Sequence, residues 1–294
     1  MTEDDLATAV QLACLLEASA PKPGNVSPGR DFHDTRYADF LASAAAIGPA
    51  FRTAGSRPLG RTILLAIEAT RRWSEANTNL GIILLCAPLA RAALDAPTRP
   101  FRDRVREVLA STTVEDARQV YAAIRLAAPG GLGSAAEQDV HAEPTIPLTA
   151  AMALAAPRDA VAAEYATAFE RTFTTGAPAV TAALEAGLGW ADVVVQAFLT
   201  LLATYPDTLI TRKLGASTAE EVRCEAARAL DAGGVRSDGG RVALDRFDAS
   251  LRDPRNRRNP GATADLTAAA LLVVILDRGW PGGAGARVPS RAGR

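Results

Sequence analysis

Apolar residues recur three and four positions apart along nearly the whole chain, as in Leu6, Val10, Ala13 and Leu16, while strict alternation over five or more residues is scarce. That period predicts an all-α protein. Beyond the helix that opens the chain, helices are expected at about 34–47, 60–73, 80–94, 101–110, 114–126, 145–155, 158–172, 178–186, 190–203, 218–230, 244–252 and 262–276. Connections are short and no linker rich in Pro, Ser or charge separates two halves. No repeat of the roughly 20–50-residue solenoid kind is present. Residues 1–280 therefore read as a single-domain, irregular multi-helix bundle, and the Gly-, Pro- and Arg-rich tail 281–294 as disordered and without chemistry.

Composition narrows the picture. With 294 residues, 48% hydrophobic, 22% charged and a net charge of -1, the chain can bury a large core, and neither disorder nor nucleic-acid binding is expected. The longest apolar run, 266–276, is far short of the roughly 18 residues of a membrane span. Cys14, Cys86 and Cys224 lie far apart with no CxxC pair, as reduced packing residues of a cytoplasmic protein do. Glu3, Asp4 and Asp5 stand where a secretion signal would carry positive charge. Apolar faces on more than one side of the helices are compatible with a homodimer as well as a monomer.

All but two of the 32 basic residues are arginine, so Lys22 and Lys213, both in loop-like stretches, stand out as lysines of chemical use or as chance survivors. Polar residues gather in five places between apolar helices, as a site at one end of a bundle would require. Pro21-Lys22-Pro23-Gly24-Asn25 is a stiff turn holding an ammonium, or an ordinary connector. Asp31, His33 and Asp34 precede a helix, where carboxylates cap it or ligate a hard cation. Asn77-Thr78-Asn79 opens a helix that looks buried all round, with more polar groups than one cap needs. The glycines of 130–133 lead to Glu137 and Asp139, with neither a dinucleotide-binding nor a P-loop spacing; the acids either hold Mg²⁺ or are solvated. Finally, Asp207 through Lys213, and Arg255 through Asp265 with Asn259 near a helix cap and Pro260 at its first position, combine cations with a helix start, which favours a polyphosphate; a solvated basic loop is the alternative.

Pro21-Lys22-Pro23-Gly24, Asn77-Thr78-Asn79-Leu80-Gly81, Asp207-Thr208 with Arg212, and Asn259-Pro260-Gly261-Ala262-Thr263-Ala264-Asp265-Leu266 resemble, in type and order, the motifs of 2-(5''-triphosphoribosyl)-3'-dephospho-CoA synthases. The resemblance runs from about Leu6 to Leu276. It implies an all-α, Mg²⁺-using transferase that takes ATP and 3'-dephospho-CoA, releases adenine and joins the triphosphoribosyl group to a ribose 2'-hydroxyl, making the prosthetic-group precursor of citrate or malonate lyase-type acyl carriers. It further implies that Lys22 and Arg212 hold phosphates and that Lys213 is among the substrate-binding residues. Asn25, Asn77, Asn79 and Asn259 would contact the substrates, Asp34, Glu137 and Asp139 would hold Mg²⁺, and Asp207 or Asp265 would be the general base.

The chain departs from the citrate-lyase members, which carry Asn-Thr-His-Lys-Gly at 77–81 and Gly-Ala-His-x-Asp at 30–34. It looks more like a divergent branch of archaea and methylotrophic bacteria, for which ATP-dependent synthesis of a methanopterin-type one-carbon cofactor is the alternative. A non-catalytic nucleotide-binding protein and a Mg²⁺-dependent phosphohydrolase are the competing classes; free adenine separates the transferase from both.

Overall fold

The computed structural model describes residues 1–95 and 98–279; the expected tail lies outside the described residues. The helices are, in order, α1 (Glu3–Ser19), α2 (Tyr37–Ala46), α3 (Gly48–Arg52), α4 (Leu59–Arg71), α5 (Leu80–Ala93), α6 (Phe101–Ala110), α7 (Val114–Ala127) and α8 (Leu148–Ala155). They continue with α9 (Ala160–Thr167), α10 (Ala177–Glu185), α11 (Trp190–Thr204), α12 (Thr208–Leu214), α13 (Ala216–Asp231), α14 (Asp238–Leu251) and α15 (Gly261–Arg278). Among the described residues there is no β-strand, only an isolated bridge between Ser27 and Arg30. No single helix among them is long and apolar enough to cross a membrane.

α15 is the axis of the bundle. Its run of Ala262, Ala264, Ala268, Ala269 and Ala270 lets α1, α5, α10 and α11 pack closely around it, so that nearly all of it is buried. α5 is the second central helix, and Pro88 sits inside it. Proline removes the N–H that the Leu84 carbonyl needs, and the buried Tyr165 hydroxyl donates to that carbonyl at 2.7 Å. Cys14 and Cys86 are buried packing residues, and burial pushes both thiols up. Cys224 is only half-buried.

Two stretches differ from the helical period. The expected helix over 158–172 breaks at Ala168 and Phe169, whose φ angles of 50° and 59° are left-handed. The fully buried Glu164 carboxylate accepts the N–H groups of Arg171 and Thr172, which the break would leave bare. The chain resumes as a π-turn at Thr172–Gly176. The stretch around Lys213, read as a loop, is the seven-residue α12.

Candidate active site

A cleft of about 920 Å³ opens where the amino ends of α5, α9, α12 and α15 come together. This is the upper end of the range for small-molecule sites. First-turn N–H groups lack intrahelical partners, and here side chains take many of them: Asp159 that of Ala162, Asp207 those of Leu209, Ile210 and Thr263, and Asn77 that of Leu80.

Asp265 stands just past the first turn of α15 and lines the cleft. Its carboxylate lies against Gly81 on α5 so closely that a Cβ at Gly81 would sit 2.0 Å from Asp265 Oδ2. No hydrogen-bond donor reaches it from the described residues. Loss of hydration is the main cause that pushes its carboxyl well above the usual range, followed by the charges of Glu17, Asp207 and Asp159, against a smaller opposing pull from Arg212.

Asp207 is differently placed. It is buried at the amino end of α12 and is not part of the cleft wall. One oxygen accepts Leu209 N at 2.8 Å and Ile210 N at 3.0 Å; the other accepts the N–H and hydroxyl of Thr263, both at 2.8 Å. Four donors leave it no free lone pair to take a substrate proton. Asp207 is therefore a cap that ties α12 to α15, not the base the motif implies. Pro260, expected as the first helical residue of α15, is instead its cap.

Lys22 also departs from expectation. It is 1% exposed and lies behind the cleft wall, not at a phosphate position. Its ammonium is 2.9 Å from Glu17 Oε1 and donates to the backbone carbonyls of Glu17 and Ala20 as well, which uses all three of its donors. The turn that carries it is fixed from α14: Asp248 accepts Gly24 N at 2.8 Å while ion-paired to Arg30 and Arg252. Gly24 has φ 71° and no room for a Cβ against Leu251.

The remaining expected residues line the cleft. Arg212 reaches Asp159 at 3.3 Å, and its Nε is buried without a partner. Desolvation at the cleft and then the neighbouring Arg212 charge lower the pKa of the Lys213 ammonium. Asn79 accepts from Thr70 at 3.2 Å and has an unpartnered buried Nδ2, and Asn259 has an unpartnered buried Oδ1. Unsatisfied polar atoms at a cleft wall are where a polar ligand completes the hydrogen bonding. Asn77 accepts Leu80 N at 3.2 Å, and the buried Asn25 donates to the Pro23 carbonyl at 3.0 Å.

Asp34, Glu137 and Asp139 line the cleft but do not form a metal cage. Asp139 spends its oxygens on Ala135 N at 2.6 Å and His141 N at 2.8 Å, and these bonds hold its carboxyl below the usual range. Among the described residues, no three His, Cys, Asp or Glu side chains are grouped to hold a metal ion. Asp34 does not cap α2 either; Asp31 accepts Tyr37 N at 2.7 Å and Asp39 accepts Arg36 N at 2.8 Å.

Glu17 and Asp159 also line the cleft and belong to none of the motifs. Asp159 caps α9 by accepting Ala162 N at 3.0 Å, and an Asp before an apolar helix was a usable signal. Glu17 had none, since a glutamate near the end of an amphipathic helix reads as solvent-facing.

Three comparisons bear on the site. The profile of the family described as CitG, ATP:dephospho-CoA triphosphoribosyl transferase, matches residues 3–283. A Pseudomonas syringae pv. tomato protein bearing the name 2-(5''-triphosphoribosyl)-3'-dephosphocoenzyme-A synthase is 30% identical over 246 residues, 82% of this chain and 73% of its own. A crystal structure from Archaeoglobus fulgidus, named as a triphosphoribosyl-dephospho-CoA synthase, superposes with a TM-score of 0.62 at 26% identity, covering 82% of this chain and all of that one.

Proposed function

The chain belongs to the ATP:dephospho-CoA triphosphoribosyl transferase family, and on that premise we propose that the transfer occurs in the cleft at the amino ends of α5, α9, α12 and α15, with Asp265 as the base. The activity is group transfer from ATP to dephospho-CoA; the one-carbon-cofactor, binding-only and phosphohydrolase alternatives are not favoured by this membership. Moving a triphosphoribosyl group requires the bond from C1' to adenine to break, a hydroxyl oxygen of the acceptor to bond to C1', and the hydroxyl proton to be accepted.

The observation that carries the assignment is the contrast between two aspartates: Asp265 faces the cleft with no donor on it, whereas Asp207 is saturated. Arg212 and Lys213 supply positive potential for a triphosphate that is held but not cleaved. Asn79 and Asn259, with their bare polar atoms, fit contacts to ribose or base. Magnesium fills its coordination shell mostly with water and phosphate oxygens, so it would enter with the triphosphate, and the exposed Asp34 and Glu137 are the carboxylates open to it. Two nucleotide substrates are the expected partners.

Adenine release from ATP, Mg²⁺ and 3'-dephospho-CoA, followed by chromatography, tests this. Asp265→Asn is expected to slow turnover at least about 100-fold with ATP affinity kept within about threefold. Because a base acts deprotonated, wild-type kcat/KM should rise with pH through a limb displaced above the ordinary carboxylate range. Undiminished adenine release by the variant would remove Asp265 from the mechanism.

A further inference from the structure

The cleft holds a second carboxylate that this assignment leaves unused. Glu17, near the carboxyl end of α1, is 3% exposed overall and yet lines the cleft. Its Oε1 is paired with Lys22, while Oε2 has no hydrogen-bond donor among the described residues. A carboxylate with one oxygen tied to an enclosed cation and the other open is held in one orientation. Stability does not account for the pair, because a buried ion pair seldom outperforms apolar side chains of the same volume.

Resting on the placement of the transfer in this cleft, we propose that Glu17 is a second catalytic residue, its free Oε2 facing the donor ribose and stabilising the positive charge that develops at C1' as adenine leaves. Lys22 is its positioning residue. The electrons of the bond from C1' to adenine depart with the base, and the acceptor oxygen supplies the pair for the new bond. The acceptor proton passes to Asp265, and adenine gains one proton in exchange, so Glu17 neither gains nor loses a proton. Its contribution is a fixed charge in a place shielded from water, where a preorganised charge acts most strongly on the transition state.

The test measures adenine release and ATP affinity for Glu17→Gln, Lys22→Met and the double variant. Each is expected to lower kcat at least about 100-fold while ATP Kd stays within about threefold. The double variant leaves no lone buried charge and so is the one expected to fold normally even if a single variant does not. A folded double variant turning over within about tenfold of wild type would show the pair to be structural and overturn the proposal. A loss of ATP affinity matching the loss of kcat/KM would overturn it too, since Glu17 would then act only in the ground state. Asp265→Asn serves as the reference. If that variant is inactive while the double variant is active, the Glu17 role alone fails; if both are fully active, the placement of the reaction in this cleft fails.

Discussion

At the scale of single residues, depth decides role. Lys22 and Lys213 read alike from their neighbours in the chain, yet one is sealed against Glu17 and the other stands at the cleft. Asp207 and Asp265 both lie near the amino ends of helices, yet only one keeps its lone pairs free. The elevated carboxyl of Asp265 also bears on stability. A group whose native pKa is raised contributes stability that is complete below its unfolded value, near about 3.9, and lost as pH rises through the native value. At neutral pH keeping this carboxyl buried is therefore a cost, and Asp265→Asn should unfold later than wild type by about 1–2 kcal/mol. The gain should shrink as pH falls toward 4, as urea midpoints at several pH values would show. A variant no more stable at neutral pH would contradict the origin assigned to the shift. Gly81 belongs to the same argument, because any larger residue would push the acid out of place.

At the scale of elements, the period of three and four placed most helices well, with α6 at Phe101–Ala110 as expected to the residue. It failed where packing overrode pattern. α12 has too few turns to show a period, and the break after α9 uses two non-glycine residues in left-handed backbone, stabilised by a glutamate that looked like any other on a helix. Of the site, Asn77, Asn79, Arg212, Lys213 and Asp265 were legible because they belong to polar clusters that interrupt the apolar pattern; Glu17 was hidden because its burial is a property of the assembled bundle. Asp207 joins two elements, and removing it bares the N–H groups of Leu209, Ile210 and Thr263 together. Asp207→Ala should cost about 3 kcal/mol or more, read as a lower denaturation midpoint; an unchanged midpoint would refute its role as the link between α12 and α15.

At the scale of the whole molecule, one core built around α15 presents four helix ends to a single cleft. Ligand binding there should stabilise every helix at once. ATP with Mg²⁺ at about a hundred times its Kd should add about 2.7 kcal/mol, and the thermal shift should shrink with salt, since part of the attraction is to exposed cations at the rim. Calorimetry in the presence and absence of nucleotide checks this, and a shift indifferent to salt would argue against an anion held by Arg212 and Lys213. The sealing of Lys22 carries one more consequence. Lys213 is left as the only side-chain amine within reach of solvent, beside the nucleotide and easily deprotonated. An acylating dye would thus find a single lysine, the α-amino group being the other amine to be blocked or subtracted, and the native sequence would become a fluorescent reporter of occupancy without any engineering.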